Sequence, residues 1–250
     1  MKLLIFGATG GTGRALVEQA LAQGHSVTAF ARDPAKVRTT HQNLTVSQGN
    51  MLDPSSVEAA VQGQDAVLSA LGTRPPVGLW IAATFACLLL ARFLALSGPV
   101  GLAVRIGGPA LANLILFRRT TALSEGTRNI VRAMEKHGVR RLICESSLGV
   151  GESRGRLGIL YNLPVVPLLL RNIFADKAVQ ERIVHESALD WVIVRPTSLT
   201  NGPRTGVYRT GTDIGHWFFM SKISRADVAD FMLKQLTDES FLGKSPGLAN

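Results

Sequence analysis

The residues best placed to do chemistry are glycines. Gly7-Ala8-Thr9-Gly10-Gly11-Thr12-Gly13 follows the apolar run Leu3-Leu4-Ile5-Phe6 and feeds a helically spaced segment from Arg14 to Leu21. In such a loop Gly7 permits the tight turn out of a strand. Gly10 lets a pyrophosphate approach the backbone, and Gly13 lets the helix pack close to the sheet. The helix N-terminus then presents free N–H groups and the positive end of its dipole to the phosphates, a setting that includes Thr9, Gly11 and Thr12. A strand before and a helix behind give the glycine pattern the context of a dinucleotide site. The second chemical signal is basic. An NAD site wants a carboxylate about twenty residues past the glycines for the ribose 2′-hydroxyl, whereas a 2′-phosphate wants arginine. The chain offers Ala31-Arg32-Asp33-Pro34 with Lys36 behind. Arg32, helped by Arg14 or Lys36, is the candidate for the phosphate of NADP, against the plainer reading of a solvated arginine at a strand end.

These groups need strands and helices to hold them. Six apolar runs read as strands: Leu3–Phe6, Ser26–Ala31, Leu44–Ser47, Ala66–Leu71, Arg141–Glu145 and Trp191–Arg195. Helical segments separate them. One begins at Pro54 with Asp53 as its N-cap, one covers Ser124–Met134 and closes at His137-Gly138, and one runs from Asn172 to Ser187. A last amphipathic helix, preceded by Ile223–Asp227, continues through Leu236. The alternation predicts an α/β fold, a doubly wound parallel sheet of Rossmann-like type in a single domain over 1–250. Leu71-Gly72-Thr73-Arg74 leaves the carboxyl end of the fourth strand, the edge that faces the ligand crevice in open parallel sheets. Ser146 and Ser147 leave that of the fifth.

Composition narrows the classes. Two cysteines, Cys87 and Cys144, make no disulfide framework and carry no metal-ligand spacing, so a reducing, cytoplasmic setting and no metal are expected. The apolar start is too short for a signal peptide. A net charge of +9 favours anionic partners, but no RNA-binding or zinc-finger motif accompanies it, so nucleic acid is not expected. Residues 75–118 interrupt the alternation after the fourth strand with an apolar, helical insert. Val77 to Leu96 carries Arg92 as its only charge, and Val100 to Phe117 carries Arg105 together with several glycines. Because the flanking strands share one sheet, a single membrane crossing is excluded. A hairpin entering from the cytoplasmic face, helices lying in the interface, and a soluble cap or homodimer surface all remain open.

Taken together, several segments resemble the NmrA-like atypical short-chain dehydrogenases, in particular the biliverdin IXβ reductase (flavin reductase) kind. They are the glycine loop, Leu71–Arg74, Leu123–Val131, Val194-Arg195-Pro196 and Ile223–Ala229. The resemblance implies an NADPH-dependent reductase passing hydride to a flavin, quinone or tetrapyrrole-like acceptor, a lipophilic or aromatic small molecule. A non-catalytic NADP-binding sensor is the alternative from the same group. It implies cofactor contacts from Gly7, Thr9, Gly10, Gly11, Thr12, Gly13, Arg32, Leu71, Gly72, Thr73, Arg74, Ser146, Pro196 and Thr197, with Ser147 and Lys177 as catalytic candidates. Lys177 stands where these enzymes keep a lysine, but the tyrosine expected four residues earlier is Ile173. An acceptor whose proton comes from solvent or a neighbouring hydroxyl needs no such phenol. Glu145, beside Ser146, is expected to pair with an arginine, against the alternative of a general acid whose pKa is raised by burial. Tyr161 and Tyr208 have no lysine at the required spacing.

Overall fold

The computed structural model describes residues 1–72, 121–158, 170–215 and 221–250. Thr73, Arg74, the 75–118 insert and Tyr161 lie outside the described residues. Strands β1 (Lys2–Phe6), β2 (Ser26–Ala31), β3 (Leu44–Gln48), β4 (Ala66–Ser69), β5 (Arg141–Glu145) and β6 (Asp190–Pro196) run parallel in the order β3-β2-β1-β4-β5-β6. The chain winds outward from β1 to β3, then crosses to β4 on the other side of β1. The switch point of the sheet therefore lies between β1 and β4, where ligands of doubly wound folds bind.

Period-two alternation distributes the core. Leu3, Ile5, Leu68, Ile143, Val192 and Val194 pack toward α1 (Gly11–Ala22) and α5 (Arg225–Lys234). Leu4, Phe6, Val67, Leu142, Cys144 and Ile193 face α2 (Pro54–Val61), α3 (Ala122–His137) and α4 (Arg171–His185). The local signals behave as their chemistry requires. Asp53 Oδ1 accepts the Ser55 N–H at 3.1 Å to cap α2, and Gly138 takes a left-handed φ of 69° to end α3. His137 does more than close its helix. Its Nε2 lies 3.2 Å from Glu58 Oε1 on α2, and hydrogen bonds from Lys136 first and His137 second hold the Glu58 carboxyl below its ordinary range.

The sheet exceeds the six parallel strands expected. After β6 come β7 (Ser198–Thr200), β8 (Arg209–Gly211), β9 (Lys222–Ser224) and β10 (Gly247–Ala249). β10 lies parallel to β6 and antiparallel to β8, extending the sheet to eight strands, while β7 and β9 pair in a small ribbon. β4 ends at Ser69, two residues before the sequence pattern suggests, as the chain turns past Gly7. The last helix starts earlier than expected, at Arg225. Among the described residues no helix is long and apolar enough to cross a membrane.

Candidate functional site

The glycine loop is built for close approach. Gly7 has a φ of +77°, and a Cβ there would lie 2.4 Å from the Ala70 carbonyl oxygen. A Cβ on Gly13 would lie 2.0 Å from the Gly7 oxygen. Gly10 N–H bonds Gly7 O at 2.8 Å, and the first intrahelical bond of α1 runs from Arg14 N–H to Gly10 O at 2.9 Å. Gly11, Thr12 and Gly13 thus begin the helix ahead of that bond, with Gly10 as an N-cap that has no capping side chain and no acidic residue in the first turn. A helix end left open in this way is an anion site by construction. Arg225, the first residue of α5, reaches over the loop: a Cβ on Gly11 would meet its Cδ at 2.4 Å. Its Nη1 donates to Asn201 Oδ1 at 2.7 Å. The motif around Arg225 contributes to the family resemblance, but linear spacing gives no sign that this side chain returns to the loop.

At the end of β2, Arg32 is exposed and has no ion-pair partner among the described residues. Its neighbour Asp33 is occupied, accepting the Ala35 N–H and pairing with Lys36 at 3.2 Å. Lys36 is thereby tied to Asp33, while Arg14 is, like Arg32, exposed and without an ion-pair partner among the described residues. Leu71 is half-buried and Gly72 exposed at the carboxyl end of β4.

The carboxyl ends of β5 and β6 bring the remaining candidates together. Ser146 Oγ and Thr197 Oγ1 are buried without a hydrogen-bond partner. Their backbones are fixed, Ser146 N–H to Val194 O at 2.7 Å and Thr197 N–H to Leu248 O at 3.0 Å. Pro196 is also buried and accepts the Leu148 N–H at 2.9 Å. Ser147 Oγ instead donates to the Leu148 carbonyl at 3.2 Å. Ser146 is therefore the serine whose hydroxyl is available. Buried hydroxyls without a partner among the described residues at this strand edge, with a loop that leaves no room for a Cβ at Gly7 or Gly13, fit a bound nicotinamide dinucleotide.

Lys177 is not a surface lysine beside Asp176; it is 7% exposed. Burial pushes its pKa down, opposed chiefly by Glu145 and further by Cys144, Glu181 and Asp176. Asp176 is committed elsewhere, accepting the Leu123 and Ser124 N–H groups at 3.1 and 3.2 Å at the start of α3. Among the described residues no arginine forms an ion pair with Glu145, although Arg225 acts on it electrostatically. Glu145 is 6% exposed and accepts the Thr12 hydroxyl at 3.1 Å. Burial pushes its carboxyl up, partly offset by Lys177, Thr12 and Arg225. The buried arginine, Arg195, holds Glu181 of α4 in a fork of 2.8 and 3.0 Å. Cys144 is buried and its thiol is pushed up to about 12, mainly by that burial, so it stays neutral. Tyr208 donates to Asp230 Oδ2 at 2.6 Å on α5 and its phenol is likewise pushed up to about 12, by burial first, leaving it no role as an acid near neutrality. Among the described residues no group of His, Cys, Asp and Glu is arranged for a metal.

Comparison with known proteins gives a consistent picture. A family model described as NAD(P)H-binding matches residues 7–239. An uncharacterized chloroplastic protein of Arabidopsis thaliana is 27% identical over 245 residues, which cover 95% of this chain and 72% of that protein. The anaerobillin reductase ChuY of Escherichia coli O157:H7 superimposes with a TM-score of 0.70 at 22% identity, over 100% of this chain and 97% of that one. A short-chain dehydrogenase/reductase of Veillonella parvula, solved with NADP, gives 0.68 at 19% identity over 100% and 94% of the two chains.

Proposed function

The chain belongs to the NAD(P)H-binding family, and from that premise we propose that it is an NADPH-dependent reductase. Its acceptor is a flavin, quinone or tetrapyrrole-like molecule, lipophilic or aromatic. One observation carries the reading. The open glycine loop and the buried hydroxyls of Ser146 and Thr197 follow the carboxyl ends of β1, β5 and β6 on one edge of the sheet, with Lys177 near Glu145 of β5, while Ile173 holds the place of a phenolic acid. A site so equipped can bind the dinucleotide and orient its nicotinamide, but it lacks the tyrosine that alcohol oxidation or sugar epimerisation would use. The cofactor, when bound, supplies the hydride. The residues of the chain supply position: the loop for the pyrophosphate, Arg32 for the 2′-phosphate, Lys177 for the nicotinamide ribose, and Ser146 and Thr197 for the face or amide of the ring. The printed name of the ChuY neighbour, a reductase of a bilin-type compound, supports a tetrapyrrole-like acceptor.

The test has two parts. Purified protein should oxidise NADPH with at least one member of a panel of flavins, quinones and tetrapyrroles; tight binding with no turnover on any of them would favour the sensor. NADPH should bind about ten- to a hundredfold more tightly than NADH, from a charge-assisted contact worth about 1.5–3 kcal/mol. Arg32→Ala should remove most of that preference and leave NADH affinity nearly unchanged. Equal affinities in the unmutated protein would overturn the assignment to NADP.

A further inference from the structure

Glu145 is a carboxyl buried under the loop that binds phosphate. It follows Ile143 on the sheet face covered by α1 and α5, and its side chain takes the hydroxyl hydrogen bond of Thr12, the second residue of α1. The backbone of that residue belongs to the open helix end where a pyrophosphate sits, so a carboxylate and a diphosphate would share one helix terminus. The groups facing Glu145 come from three elements: Thr12 of α1, Lys177 of α4 and Arg225 of α5, with Cys144 next to it on β5. The Cys144 thiol is neutral, and burial lowers the proton affinity of Lys177 as it raises that of Glu145. Of the two other acids around Lys177, Asp176 is held by two backbone N–H groups and Glu181 by the Arg195 fork. Among the described acids around Lys177, Glu145 alone is held by neither a backbone N–H nor an arginine fork, so it is the acid that can answer added negative charge by taking up a proton. Lys177, whose proton affinity burial lowers, is the other group able to do so, and Glu145→Gln tells the two apart.

We propose that Glu145 couples cofactor binding to proton uptake, so that its carboxyl is neutral and carries a transferable proton whenever the glycine loop holds a pyrophosphate. The proton comes from solvent as the cofactor arrives. Its position beside Ser146 puts it next to the crevice, where a two-electron reduction consumes a proton along with the hydride. Burial favours the neutral acid even before binding, and the diphosphate extends that preference to higher pH. This inference rests on the glycine loop being the pyrophosphate site.

The sign follows from linkage. A group whose proton affinity rises on binding makes binding strongest at low pH, weakening by at most about tenfold per pH unit between the free and bound pKa values. The 2′-phosphate of NADPH titrates in the opposite sense, so dissociation constants are compared between the unmutated protein and Glu145→Gln, in which that contribution cancels. The ratio of the two constants should change by up to about tenfold per pH unit across the window, and NADH should show the same trend. Calorimetry with NADH, which has no 2′-phosphate, in two buffers of different ionisation heat should show proton uptake by the unmutated protein and none by Glu145→Gln. Lys177→Met, which removes the cation favouring the carboxylate, should leave Glu145 protonated beforehand and shrink the uptake. Parallel pH profiles for the two proteins, or no buffer-dependent heat in the unmutated protein, would overturn the proposal while leaving the cofactor site intact. Failure of both NADPH and NADH to bind would overturn the site itself.

Discussion

Two charged side chains at neighbouring strand ends meet opposite fates for a geometric reason. Glu145 pairs in register with Val194, and strand alternation sends it to the α1 side. Arg195, one residue further on β6, follows Ile193 to the α4 side and meets Glu181 instead. A linear reading sees an acid and a base at adjacent strand ends and pairs them; the pleat separates them. The same fact explains why the tight turn at Gly7, the close approach at Gly13 and the exposed position of Arg32 at the end of β2 were legible from sequence, being set by neighbours a few residues away. The burial of Lys177 and the partner of Glu145 depend on contacts across the sheet. The Arg195–Glu181 pair, with side chains only 4% and 3% exposed, gives a direct test. Glu181→Ala should destabilise the protein by about 3–5 kcal/mol in urea unfolding, because it strands a buried guanidinium. The double variant Glu181→Leu/Arg195→Met should recover most of that loss, since no charge is then left unpaired.

At the scale of elements, the central strands and the helices between them were legible because burial on both faces writes apolar runs, while the largely exposed edge strand β3 was legible from its place in the alternation. β7 to β10 were not. Each is three residues long and is held by backbone pairing, so side-chain pattern carries little trace of them. The start of α5 shows how such short pieces are fixed. Ser224 Oγ accepts the Asp227 N–H at 2.9 Å and donates to Asp227 Oδ2 at 2.8 Å, a capping box. Asp227 Oδ1 also accepts the Thr205 and Gly206 N–H groups at 2.7 and 2.8 Å, which anchors the loop before β8. Burial pushes the Asp227 carboxyl up, but the hydrogen bonds from Gly206, Ser224 and Thr205 outweigh it and the net shift is downward. A carboxyl lowered on folding stabilises above its unfolded pKa, and that contribution fades as pH falls through the folded value. Asp227→Asn should therefore cost about 1–2 kcal/mol near neutrality and progressively less below about pH 4. Equilibrium unfolding at several pH values reads this directly.

At the scale of the molecule, a ligand that binds only the folded chain stabilises all of it. NADPH at about a hundred times its dissociation constant should add about 2.7 kcal/mol and raise the melting temperature by about 5–10 °C for a chain of this length. NADH at the same concentration should give a smaller rise, and Arg32→Ala should bring the two together in a thermal-shift assay. The site reaches across the chain as well as across the sheet. Arg225 and the apolar face of α5 come more than two hundred residues after the loop they cover, and Val228, Phe231 and Met232 share a core with Leu16, Val17 and Ala20 of α1. That contact is of high sequence separation, so its closure is slow and costly in chain entropy. A refolding chain whose first strands have formed ahead of α5 carries a bare apolar stripe along α1 and a loop with one wall missing. Such a species is prone to self-association. On the proposed reading a nucleotide would bind only the completed loop, so its presence during refolding should favour the chain in which α5 has docked over one with α1 bare.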